Sequence, residues 1–161
     1  MTSLRQILPK IVMVGLNVSG FAVCQAQSVM ESEIPSPHES REEKLIEGMD
    51  RGIKQDYRGA IAIFSELIQR YPDYADAYFN RGIARTKLQD YRGAIADQTK
   101  AVTFNPQLAE AYQARAEIYW QLGDRQKAKE DLQRAITLFK LHQNTISQHQ
   151  AEQLINQWQR K

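Results

Sequence analysis

The chain has little with which to build chemistry or a cross-linked scaffold. Cysteine occurs once in 161 residues, at Cys24, so the chain cannot form an internal disulfide. The three histidines stand apart. His142 and His149 are separated by no cysteine and have no carboxylate at ligand spacing, which is not the pattern of a metal site. A G-x-S-x-G turn, a glycine-rich phosphate loop and an H-E-x-x-H helix are all absent. Asp90, Asp97, Asp124 and Asp131 read as helix-start and solvent-facing residues, not as acid–base pairs. No enzyme, no cofactor and no metal is therefore expected.

Long apolar runs are also missing. The best stretch, Ile11 to Val23, is about 13 residues and is interrupted by Gly15, Asn17, Ser19 and Gly20, too short to span a bilayer core of roughly 30 Å. With Arg5 and Lys10 before it and Cys24-Gln25-Ala26 after it, residues 1–26 read as a secretory signal peptide cleaved before Gln27. That places the mature chain in the periplasm or outside the cell. The alternatives are a thylakoid lumen, an uncleaved leader that tethers the chain to a membrane, or a lipidated Cys24. Val23 disfavours the last, because such sites prefer a small residue there. No stable transmembrane span is expected in the mature form.

Excess charge is the third absence. Losing Arg5 and Lys10 with the leader lowers Lys plus Arg from 21 to 19, equal to the 19 Asp plus Glu. A neutral mature chain argues against nucleic acid, which would require a basic stripe. Residues 27–40 (QSVMESEIPSPHES) are polar, acidic and proline-containing, and read as a disordered tether.

What the chain does have is repetition. QDYRGAIA occurs at 55–62 and again at 89–96, offset by 34 residues, and an identical octamer at that offset is not expected by chance. The period continues: Gly48 maps onto Gly82, Arg51 onto Arg85, Pro72 onto Pro106. A weaker third copy maps Ala77, Tyr78 and Arg81 onto Ala111, Tyr112 and Arg115, and Asp97 and Ala101 onto Asp131 and Ala135. A fixed period of this length marks a stacked array. Three units are read over 41–74, 75–108 and 109–142, each as two helices from the spacing of its apolar residues. Ser40-Arg41-Glu42-Glu43 reads as a capping box opening the first unit. Gly48, Gly82 and Ala116 in the first helices, and Ala60, Ala94 and Ala128 in the second, read as points of close helix crossing. Gln98 stands where Phe64 and Leu132 sit in the other units, so it predicts a buried polar group that needs a partner. Lys140 replaces the prolines that close the first two units, so the sixth helix is expected to run on. Residues 143–161 read as a capping helix started by Asn144 or Thr145, with Ile146, Ala151, Leu154, Ile155 and Trp158 on its apolar face.

These features resemble the tetratricopeptide repeat family. The resemblance covers about 100 residues and is strongest over ADAYFNRGIARTKLQDYRGAIADQTKAVTFNP, where Tyr78, Gly82, Tyr91, Ala94, Ala101 and Pro106 fill the pattern. Lys44, Gln98 and Lys140 depart from it. It implies an all-α solenoid of three helix-turn-helix units that binds a protein or peptide in a concave groove lined by the first helices. The groove residues so implied are Glu42, Leu45, Met49 and Ile53; Asp76, Phe79, Asn80, Ile83 and Lys87; and Glu110, Gln113, Glu117 and Trp120. Apolar residues fall in the first two units, and Glu42, Asp76 and Glu110 form an acidic rail suited to a partner with positive residues. Asn80 is expected to hold a peptide backbone. One branch of the family grips the C-terminal carboxylate of heat-shock chaperones with a lysine/arginine/asparagine clamp. Only Asn80 matches it; the other clamp places hold Leu45, Met49, Glu110 and Ala114, so chaperone-tail binding is not expected. Two alternatives stay open. The chain is a structural or assembly factor that self-associates weakly through Trp158, or it is an accessory subunit of an envelope enzyme.

Overall fold

A computed structural model describes residues 37–160, with side chains from 41 onward. The leader expected at 1–26 and the tether residues 27–36 lie outside the described residues. The described chain is helical, with no strand among the described residues. It forms α1 (Pro37–Ile53), α2 (Tyr57–Arg70), α3 (Ala75–Lys87), α4 (Tyr91–Phe104), α5 (Ala109–Gln121), α6 (Arg125–Leu141) and α7 (Thr145–Gln159). Each helix packs on the next in chain order, and α1 also touches α3, as α3 touches α5. This is the all-α solenoid of three helix pairs and a closing helix that the repeat predicts.

The repeated octamer builds the turn between paired helices. Asp56, Asp90 and Asp124 are the N-caps of α2, α4 and α6, each accepting from the backbone N–H three residues on, at 2.9, 3.0 and 3.2 Å. Asn144 caps α7 in the same way through Ser147 N–H. The residue before each aspartate is left-handed: Gln55 at φ 64, Gln89 at φ 63 and Gly123 at φ 86. Only the third copy places there the residue that takes this conformation without strain.

The capping box at Ser40 is not where α1 begins. The helix starts at Pro37, whose fixed φ suits the first helical position and whose missing N–H costs nothing there. Four residues assigned to the tether are therefore helical. Helix α6 runs 17 residues against 14 in α4, in line with the loss of proline at Lys140.

Within each pair a small residue meets a large one 16 positions later. A Cβ built on Gly48 would lie 2.5 Å from the Phe64 ring, and one on Gly82 would lie 2.6 Å from the Gln98 amide. Ala116 and Leu132 hold the equivalent places in the third unit and are fully buried. Ala60, Ala94 and Ala128 have no exposed surface either.

Asp97 and Asp131 are not solvent-facing. Arg81 grips Asp97 with two bonds of 2.9 and 2.7 Å and reaches back to Ser65 in the preceding unit at 3.0 Å. Arg115 repeats this with Asp131, at 2.7 and 2.8 Å, and Thr99, at 3.0 Å. Arg85 adds a second contact to Asp97 at 2.9 Å. The hydrogen bonds to Asp131 are the main cause holding Arg115 above its ordinary value.

Gln98 is fully buried, as its position predicts. Its amide N–H donates to the Phe79 carbonyl at 3.2 Å, but Oε1 has no partner among the described residues. An unmet buried acceptor costs about 1–3 kcal/mol. The third unit already places leucine at this position. Gln98→Leu is therefore expected to raise stability by about 1 kcal/mol, read as a higher urea midpoint at unchanged slope.

Candidate functional site

The odd-numbered helices carry the concavities. A cavity of about 250 Å³ opens between α1 and α3. Met49, Ile53, Asn80, Ile83 and Lys87 form its rim and walls, and Tyr57, Ala60 and Phe64 of α2 form its floor. Two shallower hollows continue along α3 and α5. One is lined by Ile83, Thr86, Lys87, Ala114 and Glu117, the other by Ile83, Glu110, Gln113, Glu117 and Ser147 of α7. Ile83 borders all three, so they form one groove. Its α1 half is apolar, and its α5 half presents carboxylates.

The sequence-predicted residues divide on this geometry. Met49, Ile53, Asn80, Ile83, Lys87, Glu110, Gln113 and Glu117 come together in the groove. Met49 and Ile53 are 44% and 80% exposed and adjoin each other on the cavity rim. Leu45 lines none of the three hollows and is half-buried against the Phe64 and Leu67 core of the first unit. Phe79 packs on Ala101, Val102 and Ala111 and seals α3 against the next unit. Asn80 is partly spent, since Nδ2 donates to the Asp76 carbonyl at 2.8 Å; its carbonyl oxygen remains for a guest.

Trp120 is not a groove wall. Its indole stacks on Trp158 with centroids 4.4 Å apart and planes 5° apart, and the Arg125 guanidinium lies 3.5 Å from its centroid. A ring and a guanidinium that close cannot share one face, so the indole is sandwiched. Trp158 is only 6% exposed, so it belongs to this core and offers no free ring to a second copy. Ile146, expected on the apolar face of α7, is 73% exposed instead.

The acidic rail is real as an electrostatic feature. Asp76 is half-buried, and burial is the first cause that raises its carboxyl above the ordinary value. Glu42 and Glu110 raise it further while Arg41 opposes them, so the three carboxylates share one field. Glu42 accepts from the Tyr74 hydroxyl at 3.2 Å. Burial, then the charges of Glu42 and Asp76, push that phenol up to about 12. Among the described residues no cluster of His, Cys, Asp and Glu could hold a metal ion, and no helix is long and apolar enough to cross a membrane.

Tetratricopeptide repeat models match residues 48–109 and 109–140. The TPR2B domain of yeast Sti1, solved as a complex with pHsp70, is 31% identical at a TM-score of 0.71; the match covers 74% of this chain and 96% of that one. This chain belongs to the tetratricopeptide repeat family. The TPR2AB domain of yeast Sti1, solved with pHSP90, is 31% identical at a TM-score of 0.70, over 75% of this chain and 47% of that one. The type III secretion translocator chaperone SycD of Yersinia enterocolitica has a TM-score of 0.71 at 15% identity, covering 76% of this chain and 85% of that one, and so shares the fold alone. No curated protein matches the sequence significantly. The repeat family and these neighbours identify the chain as a protein-interaction module.

The raised Asp76 carboxyl has a consequence for this TPR stack. Its folded pKa lies above its unfolded value, so in that window the unfolded chain holds fewer protons and stability falls as pH rises through it. Asp76→Asn should therefore be more stable than the parent near pH 7 and lose that advantage below about pH 3, measured as paired urea midpoints.

Proposed function

We propose that this chain is a non-catalytic adaptor whose concave groove takes a peptide or helix of a partner bearing apolar and basic residues, and that it works in an extracytoplasmic compartment. The observation that carries the reading is the groove itself. Exposed Met49 and Ile53 and half-buried Ile83 line a groove whose α5 half carries Glu110 and Glu117. Glu110 and Glu117 have no cationic partner among the described residues; Glu117 accepts only from Gln113, at 3.0 Å. A guest with lysine or arginine beside an apolar face would cover one half and neutralise the other. The N-terminal sequence, with its positive start, short apolar run and small residues at the cleavage position, supports the compartment. A start at Gln27 in the intact mass of the native protein tests it.

The yeast Sti1 domains named above were solved with chaperone segments. This groove is built against that ligand. Apart from Asn80, the places of the lysine/arginine/asparagine clamp hold Leu45, Met49, Glu110 and Ala114, and Lys87 alone cannot offset the acidic rail. Hsp70 and Hsp90 tail peptides should bind this chain no tighter than about 10 µM, roughly −7 kcal/mol. A basic amphipathic peptide should bind, and Glu110→Lys with Glu117→Lys should abolish that binding at unchanged helicity. Tight tail binding, or indifference to the charge reversal, would overturn the reading.

The alternative of self-association through Trp158 loses its main support, because the ring is buried in its own chain. Sedimentation of the full chain at rising concentration should show no dimer that Trp158→Ala removes.

A further inference from the structure

The cavity between α1 and α3 exists because of two glycines on one face of α1, and only one of them has a packing reason. Gly48 must be small, since Phe64 occupies the space of its missing Cβ. Gly52 lies one turn on, on the same face, and a Cβ there would meet nothing within 4 Å among the described residues. Glycine inside a helix is destabilising relative to alanine. Among the described residues no contact requires glycine at position 52, one residue before the last of α1, yet Gly52 lines the cavity.

The other units show what this place can hold. One period along, Gly52 corresponds to Thr86, and one further to Trp120. In the third unit the indole fills its own space and is covered on both faces by Trp158 and Arg125. In the first unit the same place is open. Its floor is Tyr57, Ala60 and Phe64, and its rim carries the Asn80 amide and the Lys87 ammonium. About 250 Å³ falls below the roughly 300–1,000 Å³ of pockets that take drug-sized ligands, and suits one large side chain.

We infer that the Gly52 cavity receives a single aromatic side chain of the partner, an indole above all, whose basic neighbours then lie over Glu110 and Glu117. This rests on the groove reading above and adds a register to it: the aromatic anchor sits at the α1 end and the cations at the α5 end. The guest would supply to the first unit what Trp120 supplies to the third.

The test uses the full chain and a fluorescein-labelled eight-residue peptide with one tryptophan followed by two lysines. Companion peptides have the tryptophan replaced by alanine or the lysines by glutamate. Burying an aromatic ring should make the tryptophan peptide bind about tenfold tighter or more than its alanine companion. Gly52→Trp fills the cavity from within and should erase that preference, whereas Gly52→Ala should keep it and melt a few degrees higher. Ile53→Ser, at an exposed rim position, should weaken the preference without any risk to the core. If the wild-type chain binds both peptides equally but still rejects the glutamate companion, the groove reading stands and the anchor is refuted. If Gly52→Trp folds and keeps the preference, the anchor is again refuted. If none of the peptides binds, both readings fall.

Discussion

Everything in this stack depends on how closely the two helices of a unit can cross. Gly48 under Phe64, Gly82 under Gln98 and Ala116 over Leu132 set that distance, each pair 16 residues apart. Close crossing within each pair leaves a compact unit on which the next one stacks. Where the large partner is apolar the contact also contributes burial. Where it is Gln98 the contact has the right shape but leaves an acceptor unmet, so the middle unit keeps its geometry at some cost in stability.

The second constraint ties units together. Arg81 and Arg115 each hold an aspartate within their own unit and a hydroxyl in the unit before it. The bonds are bidentate and nearly enclosed, so they fix orientation as well as spacing. The first unit has no arginine–aspartate pair of its own, because Glu47 and Ile63 occupy the corresponding places, and is tied through its Ser65 to Arg81. Its own ion pairs, such as Lys44 with Glu66, lie at the surface. Exposed pairs of that kind contribute little.

The fold was legible from one repeated octamer, because period reports architecture directly. The Arg81–Asp97 link was not legible: both residues recur 34 positions on, but periodicity did not say that they meet, and Asp97 read as solvent-facing. The groove was half legible. Helical spacing identifies the face on which Leu45, Phe79 and Trp120 lie, but it does not say which neighbour covers that face. Leu45 turned to Phe64, Phe79 to the next unit, and Trp120 to a tryptophan 38 positions away on the closing helix. Gly52 escaped notice for the opposite reason. A gap in a pattern reads as noise until the surrounding residues are seen to leave a space.

The central claim is that a partner segment with an aromatic side chain and adjoining cations lies along the concave face. A photo-crosslinking residue placed at Ile83, where the three hollows meet, tests it most directly against one at the exposed Arg92 of α4. The account predicts that Ile83 captures one defined segment carrying a large aromatic residue next to lysine or arginine, and that Arg92 captures none. A partner captured through Arg92 instead, or a segment at Ile83 that is acidic and lacks an aromatic side chain, would contradict it.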